Sequence, residues 1–502
     1  MQMTVLMVFA LVLVLGESPD PLLMRASPNV LAFGAAAYWI VAAGLSAAIS
    51  AVGVRRLSRG QDSLTATSRR HHKLQLLVQV WLLGGLALLL GMGILNQLAG
   101  AWPLNLVPLV RQGVLRIPPE LMVLGMFAVG LLLHWLATYR FEHAIRVQVE
   151  QQLMLAGRPV RPGWTLRQYL DFQLRHQFLF VAVPVLLIMV ARDAVGLLPF
   201  SPQWIWVPQA MTAAAVAAVF LFSPTLLVHV WRTRPMGDGE LRRRIEALCT
   251  RLNLQYRQLR IWDTAGVIAN AGVMGLHRRL RYVLVTDALL ENMDDAQIVA
   301  VFGHEAGHIK HHHLVYFLVF TMCAMALSVV MVGAILSLLP HISARQADLV
   351  QTGVSLVTLA LIWGVGFGWL SRRFERQADV YGAWCAGLDA GGEPDLPGDA
   401  SDPESPRRLD YARAANPLAV GAPTFVRALE NVGLLNGISP ETWNWRHGSI
   451  ASRVRFLKNW TVAGYSRSAF DRSIGRIKAI LWLALLVGAG VAALTYRRWW
   501  TL

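Results

Sequence analysis

Apolar residues fall in long, nearly uninterrupted runs along this chain, and the charged residues collect between them. A helix needs about 20 apolar residues to cross the hydrocarbon core of a bilayer. Runs of that kind at Val30–Val54, Leu74–Leu98, Leu121–Thr138, Phe178–Leu198, Trp204–Val230, Leu314–Leu339, Val350–Leu370 and Ala479–Tyr496 predict eight membrane helices. Thr4–Gly16 is shorter and predicts either a signal-like anchor or a ninth span. Met1–Thr4 carries no basic residue and no clear cleavage site follows, which argues against a cleaved leader. Two long hydrophilic stretches, Trp231–His313 and Ser371–Lys478, interrupt the apolar pattern. Within the first, Leu259-Arg-Ile-Trp and Tyr282-Val-Leu-Val-Thr predict short strands. Asp294 and Asp295 then predict the capped start of a helix running on through Gln297–Phe302. Within the second, Gly387–Pro406 is acidic, rich in proline and nearly free of apolar residues, and predicts a disordered insertion.

Composition agrees with the pattern. Of 502 residues, 55% are hydrophobic and 15% charged, where a soluble domain carries about 25% charged. Cys249, Cys323 and Cys385 are too dispersed for a disulfide framework or a thiolate metal site. The net charge of +16 resides largely in loops. Val54–Leu74 and Tyr139–His176 each hold six Lys or Arg, whereas the loops between carry one or two. Arginine-rich loops face the cytoplasm, which puts both hydrophilic stretches on that side as well. Arg497–Arg498 would then lie outside, against the trend of the other loops. The basic residues are thus accounted for by topology and anionic lipid, not by nucleic acid.

The candidate chemistry lies in the hydrophilic stretches. His304-Glu305-Ala306-Gly307-His308 fits H-E-x-x-H, which on a helix turns both imidazoles to one face and sets a carboxylate beside them. A catalytic zinc keeps three protein ligands, so a third is required. Glu375 and Asp379, four apart in Ser371–Asp379, share a helix face just past a predicted span. They suit a ligand and a carboxylate orienting a ligand histidine, or a solvated face paired with Arg372, Arg373 and Arg376. His311, His312 and His313 suit a polar turn at the membrane edge better than extra ligands. His134, inside a predicted span, suits a packed, hydrogen-bonded histidine.

H-E-x-G-H followed by S-R-x-F-E-x-Q-A-D resembles the membrane gluzincins, the group of the type I CAAX prenyl proteases and the HtpX heat-shock protease. Asn270-Ala271 with Gly275, Arg281-Tyr-Val-Leu-Val-Thr-Asp287-Ala-Leu-Leu290, and His447-Gly-Ser-Ile-Ala-Ser-Arg453 are similar to further family motifs, although the two prolines that follow the histidine in the family are absent here. The resemblance covers roughly Arg232 to Lys458 and not the first 230 residues. It implies a mainly α, polytopic membrane protein of about eight or nine spans, with a zincin-type metallopeptidase domain carrying a small β-sheet. It implies one Zn2+ per chain on His304, His308 and Glu375, with Asp379 behind a ligand. It further implies Glu305 as general base, His447 and Arg453 as oxyanion stabilisers, and Asn270 and Ala271 on an edge strand that pairs with the substrate. Without it, a helix-capping histidine and a surface arginine are the better readings of His447 and Arg453. The expected organisation is a transmembrane region at 1–230, a metallopeptidase domain at 231–470 with a two-span hairpin at 314–370 and the acidic loop at 387–406, and a terminal span and tail at 478–502. The expected activity is endoproteolysis of membrane or membrane-proximal polypeptides, with a catalytically inactive zinc-binding scaffold of the same fold as the alternative. A transporter is disfavoured, because most spans hold few charged residues. Expected partners are a polypeptide substrate and the bilayer, with no nucleic acid.

Overall fold

The computed structural model describes residues 28–59, 64–91, 119–155, 157, 164–196, 198, 206–391, 417–463 and 467–500. The described residues are mainly helical and divide into two compact units, 1–233 and 234–502. In the first unit run α1 (Pro28–Ser58), α2 (Leu64–Gly91), α3 (Pro119–Leu155), α4 (Leu166–Gln173), α5 (Phe180–Gly196) and α6 (Trp206–Val230), with a π-helical turn, Leu174–Leu179, joining α4 to α5. α1 packs on α2 and α3, and α5 packs on α6. In hydrocarbon every polar group must find its partner within the protein. Ser46 Oγ lies 2.8 Å from Nδ1 of His134, which is 4% exposed. Ser50 Oγ and Gln75 Nε2 each lie 3.3 Å from Nε2 of His71. His134 is therefore a packed, hydrogen-bonded histidine.

Five stretches among the described residues are long and apolar enough to cross a membrane: Phe33–Ser58, Leu124–Gln151, Leu166–Gly196, Val207–Val230 and His313–Ser337. The expected run at Leu74–Leu98 falls partly on residues 92–98, outside the described residues, as does all of Thr4–Gly16. The run at Val350–Leu370 is not one continuous α-helix, because a π-helical turn at Ile362–Phe367 interrupts it. The run at Ala479–Tyr496 falls within a longer helix that begins at Arg467.

The second unit contains β1 (Thr233–Pro235, straddling the unit boundary), α7 (Glu240–Arg251), β2 (Gln258–Trp262), β3 (Ala271–Met274), β4 (Tyr282–Thr286), α8 (Asp287–Asn292), α9 (Asp295–Lys310), α10 (His313–Ser337), α11 (Ala344–Leu361), α12 (Gly368–Asp389), α13 (Pro417–Leu435), α14 (Ile450–Val462) and α15 (Arg467–Trp500). The strands order β1-β2-β4-β3. The apolar β4 is buried throughout, parallel to β2 with Leu259 opposite Val283, and antiparallel to β3 with Ala271 opposite Val285. β3 is therefore an edge strand. The helix through Gly387–Asp389 corrects the start of the expected disordered insertion; its remainder, 392–406, lies outside the described residues.

Small residues set how closely the helices of this unit approach. A Cβ on Gly303 or Gly307 of α9 would come within 2.6 Å and 3.1 Å of Cys385 and Tyr381 on α12. On the far side of α12, a Cβ on Gly387 would meet the Pro417 carbonyl oxygen at 1.7 Å, and one on Gly421 of α13 would meet that of Ala383 at 1.9 Å. Backbone thus touches backbone, and the residues following Gly303 and Gly307, His304 and His308, are brought against the polar face of α12. Leu370 and Phe374 of α12 bury against Phe470 and Ile474 of α15, each such side chain contributing about 1.5–3 kcal/mol.

Candidate metal centre

α9 starts where Asp294 accepts the Gln297 backbone N–H at 2.8 Å, while the Gln297 amide donates back to its carboxylate. Three turns later the imidazoles emerge on one face. His304 Nε2 and His308 Nε2 stand 3.3 Å apart. From α12, the Glu375 carboxylate lies 3.6 Å from the first and 3.7 Å from the second. These three donors lie within 4.8 Å of one another and could hold a metal ion. Glu375 is 4% exposed and Asp379 is fully buried, which overturns the solvated-face alternative. Arg372 and Arg373 instead lie over Trp443 and Trp369, and Arg376 over Phe456.

Asp379 has two neighbours. Its Oδ1 is 3.0 Å from His304 Nδ1, a close approach without hydrogen-bond geometry. Arg453 grips the same carboxylate with two donors, Nε at 2.9 Å and Nη2 at 2.5 Å. Arg453 is 12% exposed, with Nη2 3.7 Å from Glu375, so it is no surface arginine. His447 Nδ1 stands 2.8 Å from Glu375 Oε1, its ring half-exposed on the cavity wall. Asn444 shapes this segment. Its Oδ1 accepts the backbone N–H groups of Arg446 and His447, and Gly448 closes the turn at φ +75°, a conformation that side chains with a Cβ resist.

Burial and charge oppose each other here. Burial pushes the Glu305 carboxyl up, to about 7. It pushes His308 down, to about 3, so that its imidazole is neutral at ordinary pH. Burial disfavours ionisation of Glu375, but the His447 hydrogen bond and the nearby Arg453 hold its carboxyl well below the usual range. Burial also opposes the charge on Asp379, and Arg453 more than offsets it. His304 is pushed down by burial and raised further by Asp379, with a net rise.

The site lines a cavity of about 900 Å³ that extends along Asn270 and Val273, past Phe425 and Val432 of α13, to Leu314 and Phe317 of α10. Ala271 begins β3, with the exposed Asn270 just before it. The segment is tethered by a residue that sequence reasoning missed. Asn436 Oδ1 accepts the Ala269 N–H at 3.1 Å, and its Nδ2 donates to the Ala269 carbonyl at 2.9 Å. Its sequence signal, the Asn-Gly step after α13, marks a turn and no more.

The polar turn expected at His311–His313 forms at His311 and His312, but His313 begins α10 and is buried. His313 is 1% exposed, stacked at 4.3 Å on Phe374, with Nδ1 2.8 Å from His308 Nδ1. His312, in left-handed conformation at φ 55°, ψ 36°, turns the chain from α9 into α10 and folds His313 back.

Residues 235–395 match the model of peptidase family M48. This segment is similar to the M48 peptidases. The chain is 27% identical over 121 residues to a CAAX prenyl protease 1 homolog of Arabidopsis thaliana, which covers 24% of this chain and 28% of the relative. It is 26% identical over 184 residues to a Protease HtpX homolog of Aeropyrum pernix, covering 35% and 57%. It is 33% identical over 134 residues to Protease HtpX of Xylella fastidiosa, covering 24% and 45%. The matches thus span from about a quarter to just over half of these relatives' lengths. The crystal structure of S. mikatae Ste24p superposes with a TM-score of 0.51 over 85% of this chain and 98% of that one, at 14% identity. That likeness is one of fold, and it extends well beyond residues 235–395.

Proposed function

We propose that the chain is a membrane-embedded zinc endopeptidase, with His304, His308 and Glu375 as ligands and Glu305 as general base. The convergence of two imidazole nitrogens and a carboxylate at 3.3–3.7 Å carries this reading. A tetrahedral zinc with bonds of about 2.0–2.1 Å needs donors about 3.3–3.5 Å apart, and the residues present fit it. Zinc bound there would act as a Lewis acid toward water and the scissile carbonyl.

The chain's own residues supply the remainder. Glu305, with its carboxyl raised to about 7, takes a proton from the attacking water and gives it to the leaving amine. His447, half-exposed on the cavity wall, faces the carbonyl oxygen and donates to it as charge develops. Arg453, doubly bonded to Asp379, contributes its charge from behind Glu375 and fixes Asp379 in place. Ala271 offers the edge of β3 to an extended substrate backbone, with the exposed Asn270, whose own backbone bonds to Thr286, beside it. The apolar side chains from Leu314 to Phe317, on a membrane helix, favour substrates that are themselves in or next to the bilayer. Membrane-protein processing or quality control, as the CAAX prenyl protease and HtpX relatives suggest, suits that geometry, with the site on the cytoplasmic side.

The test is Glu305→Gln. The variant should retain one zinc per chain and lose cleavage by about 10²–10⁴-fold, read on peptides that mass spectrometry recovers from wild type but finds intact and trapped in the variant. Normal cleavage by the variant would sink the mechanism.

A further inference from the structure

Behind His308 lies a chain of hydrogen bonds that the hydrolytic mechanism leaves unused. His313 Nε2 is 3.0 Å from Gln377 Oε1. The Gln377 amide nitrogen donates to Asp471 Oδ1 at 2.6 Å and to His311 Nδ1 at 3.2 Å. Asp471 belongs to α15, and Lys478 of that helix donates to the His311 carbonyl at 2.7 Å.

The proton positions follow link by link. His308 turns Nε2 toward the other two donors, so its ring proton sits on Nδ1. His313 Nδ1 must then accept, and its own proton sits on Nε2, where the Gln377 oxygen receives it. That fixes the amide with its nitrogen toward Asp471 and His311, both acceptors there. Reversing any link would put a proton on the ligand nitrogen of His308 or set two acceptors face to face.

We propose that His313 and Gln377 are positioning residues for His308, and that Asp471 anchors them from α15, making the C-terminal helix part of the metal site. The proposal rests on the zinc reading above. Partners behind a ligand histidine fix its tautomer and orientation, and their loss costs about 10–100-fold in metal affinity.

The experiment measures Zn2+ affinity of the purified full chain by competition with a chromophoric chelator, together with the visible spectrum of the Co2+-loaded protein and thermal unfolding. Gln377→Leu keeps the side-chain shape and removes both links. It should weaken zinc about 10–100-fold and shift the cobalt bands, with the unfolding temperature retained. Asp471→Asn should weaken zinc by a smaller factor, and should weaken it no further when added to Gln377→Leu, since both break one chain. Affinities within twofold of wild type in both well-folded variants, or effects that multiply, would overturn the proposal while leaving the zinc site intact. Wild type that binds no zinc would overturn both.

Discussion

His304 and His308 stand one turn apart on α9, but the regions behind them are built on opposite terms. Behind His304 lies a single carboxylate, Asp379, fully buried and neutralised at once by two donors of Arg453. Behind His308 lie an imidazole and an amide, and the nearest carboxylate, Asp471, is two residues further on and 28% exposed. A charge in a dry interior survives only with its counter-charge in contact, so the first arm is short and paired. A neutral arm needs no counter-charge, only directions held true. Here Phe374 provides the stacking surface that holds the His313 ring. The first arm ties the site to α14, the second to α15.

Three changes would break or sharpen this contrast. The largest effect is expected from Asp379→Ala, which leaves Arg453 buried without its partner and should cost about 3–5 kcal/mol in denaturant unfolding. An unchanged midpoint would show the charged arm to be dispensable. Next comes pH, acting on Glu305 between the arms. Its carboxyl is raised from 4.5 to about 7 in the folded metal-free protein. Its contribution to stability is therefore full below pH 4.5 and lost as pH rises through 7. Asp379 is shifted the other way, so its contribution holds above its ordinary value of 3.8 and fades only as pH falls through its lower folded value. Metal-free Glu305→Gln should accordingly exceed wild type in stability by on the order of 3 kcal/mol at pH 8 and match it near pH 4.5. The same difference at both pH values would contradict burial as the cause. The smallest effect belongs to the opposite wall. Asn436→Ala removes both bonds to Ala269, worth about 1 kcal/mol each, along with one to Val432, and should raise KM for peptides about tenfold with kcat little changed; a drop in kcat alone would place Asn436 with the arms instead.

Local spacing made part of this site legible. Two histidines and a glutamate within five residues of a capped helix, and two carboxylates four apart on another, define faces by helical period alone, and both faces are where that period puts them. The strands at Leu259 and Tyr282 were legible for the same reason. The second arm was not. His313 meets His308 only because His312 leaves the helix in a left-handed turn, and nothing in a run of three histidines says which one turns. Asp471 and Asn436 act across 94 and 167 residues of chain, beyond any pattern in neighbouring positions. A motif pointed to Arg453, but that its first partner is Asp379 follows from the packing of α14 on α12.

The touching backbones of Gly387 with Pro417, and of Gly421 with Ala383, have a practical corollary. They clamp the end of α12 to the start of α13 whatever links them. That clamp does not depend on the 25-residue connection, 392–416. A chain severed there in detergent should stay together as two associated fragments, metal site included.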